Sequence, residues 1–203
     1  MNLEEALLHL KQEPHIARAI QSIEMVDFTP SGNVYFDLLE SIVSQQLSVK
    51  AASTIFNRFL LLFPDQYPHP ELLIEIEPER LRAAGLSNQK AAYLQNVARF
   101  AQQFDLENHR WDSMSDDEVI HFLTQIKGVG KWTVQMLLMF TLGRLDVLPT
   151  DDLGIQQGMA KLFGIQETGK ELKLKMIELA EPWRPWRTVA CRYLWRWKDT
   201  QNS

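Results

Sequence analysis

LTQIKGVGKWTVQMLLMFTLGRLDVLPTDDLG, residues 123–154, is the stretch whose reading decides the fold. An amphipathic segment closes at Ile126, Lys127-Gly128-Val129-Gly130 makes a turn, and a second apolar helix opens at Lys131. Gly128 and Gly130 carry no Cβ, so the backbone there can bend sharply and come close to a partner. The helix after them offers N–H groups without intrahelical partners and the positive end of its dipole, a combination that attracts phosphate. Further on, a Pro-led turn delivers two adjacent carboxylates, Asp151 and Asp152. One stretch therefore holds an anion-binding turn, an aromatic side chain beside it (Trp132) and a candidate catalytic acid.

Working outward, the surrounding chain reads as helix after helix. Ser115-Asp116-Asp117-Glu118 is a capping box that opens the helix leading into the turn. Ser87 caps a helix over 88–104 with the apolar stripe Ala91, Leu94, Val97 and Ala98. Pro78 starts a short helix ending at Gly85, and residues 64–70 before it read as a turn-rich loop. Residues 34–46 carry Phe36, Leu39, Ile42 and Val43 at helical spacing. Leu47-Ser48 interrupts them, with Ser48 a good cap for a helix running to about Phe63. Helices over 2–11 and 14–24 come first, then a break at 29–33. Downstream, Asp151 is expected to cap a helix ended by Gly164. Thr168-Gly169-Lys170-Glu171 reads as a second capping box, and Pro182-Trp183-Arg184-Pro185 resets the chain for a last helix over 186–198. No long period-2 alternation bounded by hairpin turns occurs, so the fold class expected is all-α. Two helical lobes are expected, 34–146 with the turn and 1–33 together with 147–203, with a cleft between them.

The bulk numbers exclude several classes. With 45% hydrophobic and 23% charged residues in 203, the chain is of ordinary globular composition and long enough to bury a core. A single cysteine, Cys191, rules out an internal disulfide and a four-cysteine zinc or iron–sulfur site. A reducing compartment is the natural expectation, cytoplasm and nucleoid or a nucleus. The first residues are acidic and too short in apolar run for a signal peptide or membrane span. Net charge is −5, which argues against nucleic acid until its distribution is read. Residues 182–198 carry Arg184, Arg187, Arg192, Arg196 and Lys198 with no acid, a basic face compatible with phosphate or simply with solvent.

Gly128-Val129-Gly130-Lys131 is not a Walker loop, because no glycine stands five residues before Gly130 and Trp132 occupies the Ser/Thr position. It is not a dinucleotide fingerprint either, since no strand leads into it. A plain helix–helix connection or a helix-hairpin-helix phosphate clamp remains. His9, His15, His69, His109 and His121 are scattered without metal spacing, and no nucleophilic serine or cysteine motif is present.

LTQIKGVGKWTVQMLLMF with DVLPTDDLGI resembles the helix-hairpin-helix and Gly-Pro-Asp core of the endonuclease III superfamily of DNA glycosylases. Ile42-Val43-Ser44-Gln45-Gln46-Leu47-Ser48, Leu81-Arg82-Ala83-Ala84-Gly85-Leu86-Ser87 and Trp183-Arg184-Pro185-Trp186-Arg187, with Trp195 beyond, resemble its 3-methyladenine DNA glycosylase II branch. The similarity covers about Val34 to Trp197. Against that branch, the chain is expected to lack the extra N-terminal β-domain of the larger bacterial representative. It also lacks the cysteine cluster of endonuclease III itself.

The resemblance implies roles residue by residue. Asp152 matches the catalytic aspartate, and Asp151 is left to helix capping. Cleaving an N-glycosidic bond develops positive charge on the sugar, so a carboxylate at the anomeric centre stabilises the transition state and can orient or deprotonate water. A cationic alkylated purine needs no acid to help it leave. Trp132 stands where bifunctional relatives carry the lysine that attacks the sugar, which implies a monofunctional hydrolase. Trp132 and Trp195 are implied as walls of a base pocket, where aromatic faces suit a flipped, electron-poor base. Met136 and Leu153 line it where the larger bacterial representative has tyrosines, as does Arg196, so a less aromatic pocket is expected.

Gly128, Gly130, Lys131 and Thr133 are implied as DNA contacts. Gln46, or Leu47 as its apolar alternative, is implied as the plug for the hole left by an extruded nucleotide. Main-chain carbonyls of Thr124, Ile126 and Val129 match positions that hold a structural Na+ or K+ in relatives; no other cofactor is expected. The partner expected is double-stranded DNA carrying damaged bases, handled by a monomer away from membranes. A DNA-damage-binding protein without chemistry, and a glycosylase for deaminated or oxidised bases, are the rival readings.

Overall fold

Helix starts follow capping chemistry written in the sequence. In the computed structural model, which describes residues 3–24 and 29–200, Ser48, Ser87 and Ser115 each accept a first-turn N–H, at 3.4, 3.2 and 3.3 Å. Glu118 returns a bond to the Ser115 N–H at 2.7 Å, completing the capping box. Proline stands in the first turn of the helical segments that begin at 14, 64, 70 and 78, where a missing N–H costs nothing.

The helices, in chain order, are α1 (Leu3–Leu10), α2 (Pro14–Gln21), α3 (Val34–Ser44), α4 (Val49–Leu60), α5 (Pro70–Glu75) and α6 (Pro78–Ala83). After these come α7 (Asn88–Phe104), α8 (Asp116–Leu123), α9 (Lys131–Phe140), α10 (Leu153–Phe163), α11 (Gly169–Ala180) and α12 (Arg187–Thr200). No strand occurs among the described residues, so the all-α expectation holds. None of the described helices is long and apolar enough to cross a membrane.

Three local expectations are corrected. Helix α5 follows directly on the segment read as loop, its Pro70 at the first turn and Leu73 fully buried. Helix α3 stops at Ser44, because Gln45 swings out to ψ 130° and the left-handed Gln46 (φ +58°) then turns the chain away. Thr168 begins α11 without a side-chain cap, because the left-handed Gly169 (φ +57°) turns the chain between the threonine and the first-turn N–H groups.

The described residues fall into two compact units, Pro30–Leu137 and Met1–Thr29 with Leu138–Ser203. In the first, α7 is the central element, packed by α3, α5 and α6. Its Leu94, Val97 and Ala98 are fully buried, with Leu38, Leu39, Ile42 and Val43 of α3 and Leu81 of α6 also sealed from water. Each Leu, Ile or Val of this set contributes about 1.5–3 kcal/mol. Gln95 on α7 donates from Nε2 to the carbonyl of Ile76 at 3.1 Å, just beyond the end of α5. In the second unit, α12 packs on α10 and α2, and Val189, Ala190, Leu194, Ile155 and Met159 fill the seam.

Candidate active site and nucleic-acid interface

The hairpin belongs to Pro30–Leu137. Helix α8 ends at Leu123 with Thr124 as its cap, and the turn closes through Ile126 N–H to Leu123 O (3.1 Å) and Val129 N–H to Ile126 O (3.0 Å). Val134 N–H then reaches Gly130 O at 3.1 Å, the first bond of α9. Gly128 sits at φ +106°, and a Cβ there would lie 2.4 Å from Cγ of Tyr93. This position must be glycine for both backbone and packing reasons. Gly130 differs: no left-handed φ is needed, and a Cβ would meet nothing within 4 Å. The close approach expected at both glycines is thus intramolecular at Gly128, while Gly130 faces open space.

Lys131 and Trp132 are exposed, Trp132 by 41%. Thr133 is buried, so a contact from it to a partner would run through its main chain. Met136 is half-buried on the same helix. Of the carbonyls implied for a cation, that of Ile126 accepts the Val129 N–H and keeps a second lone pair. Neutral carbonyl oxygens gathered in one turn are a donor set that suits an alkali cation. Among the described residues no cluster of three or more His, Cys, Asp or Glu could hold a metal. Gln46, Leu47, Ser48 and Val49 form an exposed run after α3, with Val49 89% exposed.

The acid turn belongs to the other unit. Asp152 N–H bonds Pro149 O at 3.0 Å, and Gln156 Nε2 donates to Thr150 O at 2.8 Å, which close the turn ahead of α10. The cap of α10 is Asp152, not Asp151: Oδ1 of Asp152 accepts the Ile155 N–H at 2.8 Å. Asp151 instead pairs with Lys173 at the surface. The correction follows from the turn, which brings residue 152 over the first-turn N–H groups.

The same Oδ1 accepts Nε1–H of Trp195 at 2.8 Å. One carboxylate oxygen is thereby held by two donors while the residue stays half-exposed. Trp195 also packs on Phe140, ring centroids 5.8 Å apart. The implied pocket wall is therefore a support for the acid as well. Gly154 permits this contact, since a Cβ there would fall 2.8 Å from Cδ1 of Trp195 and 3.0 Å from Oδ1 of Asp152. Leu153 is 64% exposed at the start of α10.

Residues that sequence reasoning missed hold the approach to this turn. Thr188, buried on α12, accepts the Val147 N–H at 3.0 Å and donates to Arg144 O at 2.7 Å. Its own N–H bonds Leu145 O at 2.9 Å. Arg187 grips Asp146 through Nε to Oδ1 (2.6 Å) and Nη2 to its carbonyl (2.7 Å), and Arg184 pairs with the same carboxylate. Arg196 donates to Glu24 O at 3.0 Å, and Lys198 pairs with Asp199. The basic face read at 182–198 is therefore largely spent on the protein itself. Charge counting could not find these partners, which lie 41 residues away for Arg187 and Asp146.

Known proteins resemble this chain in sequence and in fold. Residues 39–185 match the family described as HhH-GPD superfamily base excision DNA repair protein. DNA-3-methyladenine glycosylase 1 of Schizosaccharomyces pombe is 38% identical over 164 residues, 80% of this chain and 71% of the relative. The solved structure of the Schizosaccharomyces pombe 3-methyladenine DNA glycosylase in complex with abasic DNA superimposes with a TM-score of 0.80 at 35% identity, covering 95% of each chain. A DNA-3-methyladenine glycosidase from Bacillus halodurans gives 0.83 at 36% identity, over 96% of this chain and 88% of that one. Motif, sequence identity and three-dimensional shape all lead to one assignment: this chain belongs to the HhH-GPD superfamily of base excision DNA repair proteins.

Proposed function

We propose that the protein hydrolyses the N-glycosidic bond of alkylated purines in duplex DNA, of the 3-methyladenine and 7-methylguanine type, leaving an abasic site. The observation that carries this reading is Asp152, a half-exposed carboxylate held through Oδ1 by Ile155 N–H and Trp195 Nε1–H. As the bond from C1′ to the base nitrogen breaks, its electron pair leaves with the base, neutralising an alkylated cationic purine. Positive charge grows on the sugar, and a carboxylate beside it stabilises that charge without reorganising. Water adds to C1′ and gives up one proton, to Asp152 or to solvent.

The other unit supplies the grip. The hairpin main chain at Gly130 and Lys131 lies at the positive end of α9, where a backbone phosphate binds best. Thr124, Ile126 and Val129 would hold a monovalent cation through their carbonyls, adding positive charge for that phosphate. Trp132 offers an exposed aromatic face to an electron-poor base. It has no amine with which to form a Schiff base, so base release is the whole reaction.

Release of free base from methylated duplex tests the proposal. D152N keeps a cap residue at the start of α10, so folding should survive while single-turnover release falls on the order of 10²–10³-fold. Native release by D152N would refute the role of Asp152. Borohydride should trap no covalent protein–DNA adduct; an adduct would refute simple hydrolysis.

A further inference from the structure

The turn after α3 and the turn after α8 lie far apart in the chain, yet one face of α7 holds both. Lys90, Tyr93 and Asn96 fall at i, i+3 and i+6 on that helix and so share a face. Nζ of Lys90 donates to Val43 O at 2.7 Å and to Gln45 O at 2.8 Å. The Tyr93 ring sits against Gly128, and Nδ2 of Asn96 reaches Lys127 O at 3.5 Å. Gln45 closes the circuit, its Nε2 3.5 Å from Gly128 O across 83 residues of sequence.

The end of α3 explains what the ammonium does. Carbonyls in the last turn of a helix have no intrahelical partner, and the negative end of the dipole lies there. Ser41 O is taken by Gln45 N–H and Ser44 O by Leu47 N–H, both at 3.2 Å. Val43 O and Gln45 O go to Lys90. The next residue, Gln46, is exposed and left-handed at φ +58°, a conformation costly outside glycine unless its surroundings impose it. Burial draws the Lys90 ammonium below its ordinary pKa, the expense of holding it among main-chain oxygens.

We infer that Lys90 is a positioning residue for lesion recognition, holding the exposed Gln46–Leu47 turn in register with the Gly128 hairpin so that both meet one duplex together. This rests on the glycosylase reading above. Lys90 touches no reacting atom. It caps the segment that would enter the duplex, and through Tyr93 and Asn96 the same helix sets the segment that would grip phosphate. Losing the cation leaves two main-chain carbonyls without their donor and frees the turn to relax from its left-handed residue.

The test measures binding of the wild type, K90M and K90R to a duplex holding one tetrahydrofuran abasic nucleotide and to the same duplex undamaged. The turn should matter only where a nucleotide is displaced, so K90M should lower the ratio of the two affinities about tenfold, with undamaged-duplex affinity retained. K90R keeps the cation and should hold the ratio near native. Should K90M not fold, K90Q carries the same comparison. A K90M ratio equal to wild type overturns the inference, and so does equal loss of both affinities, which marks a merely structural residue. Base release from methylated duplex by the wild type is scored alongside: no release overturns the glycosylase reading itself, whereas release with an unchanged K90M ratio overturns only the role of Lys90.

Discussion

The turn ahead of α9 presents backbone, and the turn ahead of α10 presents one side chain. At the hairpin, successive main-chain bonds through Ile126, Val129 and Val134 set the shape, and Tyr93 presses on Gly128 from behind. Nothing among the described residues crowds a Cβ at Gly130. At the acid turn, two donors converge on a single oxygen of Asp152, and Gly154 exists to let an indole come that close. A surface that offers main-chain N–H groups suits a repeating, sequence-independent partner such as a phosphate backbone. A surface that fixes one carboxylate suits a single reacting centre.

Glycine substitutions break that comparison most sharply. G128A forces a Cβ into the root of the Tyr93 ring at a φ of +106°, so thermal or denaturant unfolding should show a loss of about 2–4 kcal/mol. G130A should cost less than about 1 kcal/mol by the same measurement, yet weaken binding to duplex DNA severalfold. Equal instability in the two variants would show that the hairpin glycines are both structural. At the acid turn, W195F keeps an aromatic ring beside Phe140 and removes the Nε1–H donor together with part of the indole. Its single-turnover base release should fall about tenfold with little change in Tm. A native rate in W195F would reduce Trp195 to packing and leave the helix cap as the sole support of Asp152.

The smallest effect is a null result at Cys191. It is fully buried on α12, with Sγ 4.0 Å from Val147 O on the approach to the acid turn. Burial pushes the thiol well above its ordinary range, and the charge of Asp152 adds to that while Arg187 opposes it. Thiol chemistry needs the thiolate, so the native protein near pH 8 should not react with a disulfide reagent, and the denatured chain should give one equivalent. Reaction in the native state would mean that the seam between α12 and the 144–148 segment opens readily.

Much of the fold was legible because it is local. Ser48, Ser87 and Ser115 announce their helices, and α7 runs over the span its apolar stripe implies. Helix α5 was missed because six residues carry too little periodicity, although Pro70 before Leu72-Leu73 is the signal that could have found it. The cap of α10 was misplaced by one residue, since either of two adjacent aspartates satisfies the pattern and only the turn distinguishes them. For the basic run at 182–198, sequence leaves phosphate and solvent both open, because charge is visible there and its partner is not. Asp146 and the carbonyl of Glu24 consume much of it.

The sequence by itself determined which residues turn, which cap and which carboxylates sit where a helix begins, because those preferences act over three or four neighbouring residues. Only the tertiary structure decided that Trp195 steadies Asp152, that Thr188 and Arg187 hold the approach to it, and that Lys90 holds the turn after α3. Each of those is a contact between residues about 40 or more positions apart, formed by helix packing, and local pattern carries no record of which side chains packing will bring within 3 Å.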